Sequence, residues 1–332
     1  MRTTTLFNDN WLFTKESETR TVTLPQTWNA EDGQTGPQMY YRGKCLYCKS
    51  FSKPALQPGQ QAWLEFRGVN SSARVVLNGV ELAVHDGGYS TFRVLLNGAL
   101  RDENVLEVWV DNSANDRVYP QRADFTFYGG IYRDVYLIVT EAVHFDLSYF
   151  GGKGFQITPQ LKGEDAEILF ETWTTPGADR VVVSVEGVGE TELTLAKQGD
   201  KLHGVGSLRI PQVHRWDGLK DPYLYKLEAT ILRGGTELDR VSTRFGCRSF
   251  EIDPERGFIL NGKEYPLRGV SRHQDRWGIG NALLPEHHKE DIDLICEMGA
   301  NTIRLAHYQH DQYFYDLCDE RGMVIWAEIP YI

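Results

Sequence analysis

Cysteine is scarce in this chain: five residues in 332, an odd number and too few for a disulfide framework. Cys45-Leu-Tyr-Cys48 has the spacing of metal and redox pairs. Yet Lys44 to Phe51 reads as a strand, and residues three apart on a strand face opposite ways, so two ordinary strand cysteines are expected. Long apolar runs are missing too. None approaches the roughly 20 residues of a membrane-spanning helix, and no membrane partner is expected. The N-terminus, Met1 to Asn10, holds no apolar core of signal-peptide length. The chain therefore reads as cytoplasmic, or as periplasmic or secreted if a leader has been removed. Basic residues are outnumbered, 35 against 46 acidic, for a net charge of -11. That balance argues against nucleic acid, whose phosphates need a basic face. Low-complexity segments and internal repeats are likewise absent.

What is there is a two-residue period over most of the length. Ala62-Trp-Leu-Glu-Phe66, Ala73-Arg-Val-Val-Leu77, Phe92-Arg-Val-Leu-Leu96, Val105-Leu-Glu-Val-Trp-Val110 and Val135-Tyr-Leu-Ile-Val139 predict strands. Asn78-Gly79, Gly87-Gly88 and Asn97-Gly98 supply the turns between them. With almost no helical pattern, residues 1–142 are expected to form a jelly-roll β-sandwich. Residues 143–250 restart the same grammar with Val181 to Val185, Gly204 to Ile210 and Tyr223 to Leu232. About one hundred residues at that spacing suit an immunoglobulin-like β-sandwich.

After Pro254 the period changes to 3.6. Glu286 to Met298 puts Ile292, Ile295 and Met298 on one face before Gly299; Asp311 to Arg321 groups Phe314, Leu317 and Cys318 before Gly322. Around these helices lie three short apolar stretches whose far ends are polar: Gly269 to Arg276, Asn301 to Tyr308 and Val324 to Pro330. That is the grammar of a (β/α)8 TIM barrel, where chemistry sits at the C-terminal ends of strands. A full barrel takes about 250 residues, so residues 251–332 hold only its first three βα units. The whole is expected to be multidomain and mainly β.

These motifs resemble glycoside hydrolase family 2, the β-galactosidases and β-glucuronidases. The resemblance runs through Leu24-Pro-Gln-Thr-Trp28, Leu77-Asn-Gly79, His85 to Phe92, Tyr128-Gly-Gly-Ile-Tyr-Arg-Asp-Val135 and Trp216 to Tyr225. Its most specific part is Gly299-Ala-Asn-Thr-Ile-Arg-Leu-Ala-His-Tyr308 with Phe314 to Gly322. It implies a sugar-binding jelly roll, an immunoglobulin-like domain and a barrel that hydrolyses β-glycosides with retention. Two carboxylates about 5–5.5 Å apart would do this. In the family both are glutamates on the fourth and seventh barrel strands, so no catalytic residue is expected here and the chain alone is expected to be inactive. Glu328, ending the third strand, is expected to support the site.

The resemblance carries four residues over to the substrate site. Arg304 corresponds to an arginine that hydrogen-bonds the nucleophile, holding it ionised. His307 and His273 correspond to histidines that contact sugar hydroxyls, and Asp124 to an aspartate reaching in from the jelly roll. A solvated loop is the alternative for Asp124. His287 and His288, in the first turn of a helix, are expected to be solvated; Trp326 and Phe127 are either sugar platforms or core. Gln309 departs from the usual proline after His-Tyr. No cofactor is implied, and no metal site is read. The partner expected is a β-galactoside or related carbohydrate, in a possible homo-oligomer. Arg304 with His307-Tyr308 disfavours the β-mannosidase branch, and Gly269 to Arg276 leans towards galactosidase. The alternatives are a β-glucuronidase parent, or a carbohydrate-binding or subunit-interaction module without catalysis.

Overall fold

The computed structural model describes residues 1–34 and 39–331. Its first unit pairs two antiparallel sheets. One has six strands in the order Glu18–Val22, Trp11–Lys15, Lys44–Ser52, Glu103–Asp111, Ser72–Leu77 and Val80–Asp86. The other has four: Thr3–Leu6, Val135–Thr140, Gln61–Phe66 and Phe92–Leu95. Alternation along each strand turns Tyr47, Val75, Val108, Leu64 and Phe66 inward, and these form one core with Trp11 and Ile131. Cys45 is buried and Cys48 lies half-buried on the other face of the same strand.

The second unit departs from two separate sheets. Its strands form one continuous seven-stranded sheet, and Gly189–Gln198 makes the turn from one layer to the other. The first half of that strand pairs with Arg180–Val185, its second half with Lys201–Ile210. The layers enclose Ile168, Phe170, Val181, Val183, Ala229 and Ile231.

The two-residue period also persists further than Pro254. A small antiparallel meander, Phe250–Asp253, Gly257–Leu260 and Lys263–Glu264, precedes the barrel strands. Its strands are short and its side chains mostly exposed, so they leave little hydrophobic signature. Then Gly269–Arg272, Thr302–Leu305 and Val324–Ala327 lie parallel, in that order, joined by the helices Pro285–Glu297 and Gln312–Arg321. Ile303 and Leu305 pack beneath the helices with Ile292, Phe314 and Leu317, leaving Thr302 and Arg304 on the opposite face. The second helix is capped at both ends as its sequence implies. The Asp311 carboxylate accepts from Tyr313 N, and Gly322 adopts a left-handed φ of 72°.

Contacts to both sandwiches hold these three strands in place. Trp216 donates its indole N–H to the Asp319 carbonyl at 2.9 Å, satisfying an acceptor in the last turn of the second helix. On the other side Tyr89 stacks on Tyr308 with ring centroids 4.1 Å apart. Residues 251–332 expressed alone lose these partners and expose parallel-sheet edges. Amide hydrogen exchange should find them far less protected than in the whole chain; equal protection would refute this dependence.

Candidate active site

Three strand ends and one sandwich loop converge. His273 follows the first barrel strand, Arg304 sits in the second, His307 just after it, and Glu328 just after the third. Strand alternation puts Arg304 on the face away from the helices, in register with Trp326 of the next strand. Its guanidinium forks onto Glu328: Nε donates to Oε1 at 2.6 Å and Nη2 to Oε2 at 3.1 Å. Nη2 also lies 3.2 Å from His307 Nδ1. The same Nδ1 lies 3.4 Å from Glu328 Oε2, so it sits between a donor and an acceptor. Among the described residues nothing accepts from Arg304 Nη1.

The sandwich closes the other side. Phe125 stacks on His307, with centroids 5.3 Å apart and planes 14° from parallel, and lies 6.4 Å from the His273 ring. His273 itself is exposed and meets His307 edge-on at 5.2 Å. Asp124 is exposed too, and its charge reaches His307. His273, Arg304 and His307, with Glu328, thus come together, whereas among the described residues Asp124 makes no hydrogen bond or ion pair to them and lies exposed on its loop. Burial, then Arg304 and His273, push the His307 pKa below its ordinary value, against opposing pulls from Glu328 and Asp124. The net direction favours the neutral imidazole over the imidazolium.

The jelly-roll loop is shaped by its glycines. A Cβ on Gly129 would lie 2.0 Å from Trp28, and Gly130 combines a φ of 141° with only 2.4 Å to the Gln26 carbonyl. Side chains are excluded at both, which lets the preceding Tyr128 send its hydroxyl 2.9 Å to the Asp275 carboxylate in the barrel segment. Phe127 is buried, whereas Trp326 is 65% exposed.

One expectation fails. His288 is buried, not solvated: Arg272 Nη2 reaches its Nδ1 at 3.1 Å, and Phe314 lies beside it. The first helical turn faces inward here because His288 packs against Arg272 of the first strand and Tyr313 and Phe314 of the second helix. Sequence reasoning also overlooked Arg272, His310 and Arg133. The signal for Arg272 was present, since the residue next to a site-facing His273 on a strand must face the helices. Arg133 had none in its neighbourhood, because its partners, the Gln309 carbonyl at 2.6 Å and Asp311 at 3.8 Å, are remote in sequence.

Burial, followed by Arg272, pulls the His288 pKa down to about 4; burial pulls His310 down to about 3. Both folded values lie below the ordinary 6.5, so between pH 6.5 and about 3 the unfolded chain binds protons that the folded one refuses. Stability is therefore complete above pH 6.5 and is lost as pH falls through that window. Thermal unfolding from pH 7 to 4 should show a falling Tm, with a shallower slope in His310→Gln; identical slopes would contradict the assignment.

A jelly roll packed against the polar ends of parallel barrel strands, with a second β-sandwich against the last turn of the second helix, defines a modular α/β-barrel protein whose site is shared between the jelly roll and the barrel strands. Comparison narrows this. The family model described as "Glycosyl hydrolases family 2, TIM barrel domain" matches residues 251–332. "Glycosyl hydrolases family 2" matches 153–248, and "Glycosyl hydrolase 2 galactose-binding domain-like" matches 30–129. The chain belongs to glycoside hydrolase family 2.

A β-glucuronidase of Bacteroides fragilis is 37% identical, the alignment covering 98% of this chain and 49% of that protein. The β-galactosidase BoGH2A of Bacteroides ovatus is 31% identical over 94% of this chain and 38% of its own length. The crystal structure of an FMN-binding β-glucuronidase from Facaelibacterium prausnitzii L2-6 superimposes with a TM-score of 0.93 at 39% identity, covering 99% of this chain and 52% of that one. The chain thus spans about half the length of the curated relative of B. fragilis.

Proposed function

We propose that this chain is the N-terminal part of a retaining β-glycosidase, and that the complete protein removes terminal β-D-glucuronosyl residues. The observation that carries the first half is the cluster of His273, Arg304, His307 and Glu328 at three strand ends, walled by Phe125. Arg304 Nη1 faces no described acceptor, which suits a carboxylate from a further strand; a guanidinium there keeps a nucleophile ionised and oriented. His307 Nε2 and His273 can hydrogen-bond sugar hydroxyls, while Glu328 neutralises and orients Arg304. A single carboxylate already committed to Arg304 cannot serve as both nucleophile and acid. Glu328 is accordingly a supporting group.

The sugar is the finer question. The lean towards galactosidase rested on Gly269 to Arg276 alone. Support for glucuronide comes from the names of relatives at 37% and 39% identity. A galactoside reading retains the support of BoGH2A at 31%. Assay of the complete gene product on p-nitrophenyl β-D-glucuronide and β-D-galactoside decides between them. A higher kcat/KM on the glucuronide is expected. A galactoside preference would reverse the reading, and hydrolysis of neither would favour a binding module.

A further inference from the structure

The turn carrying His307 is gripped from below by a buried cluster that makes no contact with the sugar-facing side. Arg272 ends the first barrel strand and points away from the face of His273. Its guanidinium lies 3.9 Å above the ring of Phe314. Nε donates to Asp291 Oδ2 at 2.8 Å, Nη2 to His288 Nδ1 at 3.1 Å and Nη1 to His310 Nδ1 at 3.2 Å. Since arginine only donates, both Nδ1 atoms are bare and each imidazole proton sits on Nε2. In His310 that proton is aimed at the Ala306 carbonyl, 2.9 Å away. Ala306 N in turn donates to the Arg272 carbonyl at 3.1 Å. Both polar groups of the residue preceding His307 are thus tied to Arg272, one directly and one through His310.

We propose that Arg272 is a positioning residue for His307 and Arg304, acting through His310 and the carbonyl of Ala306. A core role alone explains the arrangement poorly. A buried ion pair is a weak source of stability, and well-packed apolar side chains often match or exceed it. What an apolar residue cannot do is select the imidazole tautomer that donates to Ala306. A lysine would supply a point charge in place of the planar fork that meets three acceptors at once. The distance from Ala306 to the site is one peptide bond, so a rotated carbonyl there turns His307 off Phe125 and away from Arg304 Nη2. The proposal rests on the reading of Arg304 and His307 as sugar-site residues, but its geometric half can be tested without a sugar.

The test is imidazole 15N NMR on the 332-residue chain carrying His310→Leu, His310→Gln or Ile292→Val. Leucine removes the relay; glutamine keeps a donor for the Ala306 carbonyl. Ile292→Val loosens the same core without touching the relay. His307 signals should move in His310→Leu and stay near their original positions in the other two, although all three lower Tm. Unmoved signals in His310→Leu, or an equal shift in Ile292→Val, would overturn the proposal. In the complete protein His310→Leu should lower kcat roughly tenfold with less effect on KM, as expected when an interaction strengthened in the transition state is lost. Displaced His307 signals with unchanged hydrolysis would support the relay and overturn the reading of His307 as sugar-contacting.

Discussion

In the complete protein, Arg304→Ala is expected to lower kcat/KM on an aryl β-glycoside about a hundredfold or more. Hydrogen bonds to charged groups contribute about 1.5–3 kcal/mol each, and each 1.36 kcal/mol is about tenfold in rate. Arg304 makes two such bonds to Glu328 and holds His307 through a third. Alanine would leave the Glu328 carboxylate, already partly buried, facing the site without its counter-ion. An uncompensated negative charge there would oppose ionisation of any nucleophile nearby. Arg304→Lys should recover part of the loss, since it restores charge but not the fork. Glu328→Gln should cost less than Arg304→Ala, because the amide can still accept one of the two bonds. A fall smaller than threefold in Arg304→Ala would show that the arginine lies outside the reacting site.

Phe314→Ala should destabilise the barrel segment by about 3–5 kcal/mol, the range for deleting a buried aromatic ring. Phe314 is fully buried, packs with Ile292, Ile303 and Leu317, and forms the floor under the Arg272 guanidinium. Its removal leaves a cavity and strips one face of a buried cation, and neither loss is easily relaxed in a core of three strands and two helices. A chain of several units does not unfold as one two-state system. The effect is therefore best read by hydrogen exchange, residue by residue. Amides of 269–331 should exchange faster while those of both sandwiches change little. Uniform loss of protection across all three units would mean that the barrel strands and the sandwiches unfold together.

Much of this architecture is legible in the sequence. Alternating runs such as Val105 to Val110 mark strands because each side chain's face follows from its parity, a local property. The helix around Ile292 and Ile295 and the one around Phe314 and Leu317 are marked by spacing and by Gly299 and Gly322. The meander at 250–264 was not legible, since its strands are short and its buried side chains, Ile259 and Leu260, are adjacent and so show no alternation. Nor was the passage of Gly189–Gln198 between layers, which depends on the register of two partners. Within the site, Arg304, His307 and His273 could be placed at strand ends from their motifs. The Glu328 fork and the burial of His288 could not.

The sequence by itself determined the periods, the turns and the order of the units, and with them the family. It also determined that charged and aromatic groups sit where three parallel strands end. These depend on interactions within a strand or a turn of helix, which neighbouring residues specify directly. The tertiary structure alone decided which histidines are buried and that Arg304 grips Glu328 and His307. It alone decided that a jelly-roll phenylalanine walls the site while Arg133 reaches the loop after Tyr308. The Phe125 and Arg133 contacts join residues more than a hundred positions apart, while the Arg304 contacts need two barrel strands in register. The first exist only once separate units pack, the second only once the strands pair.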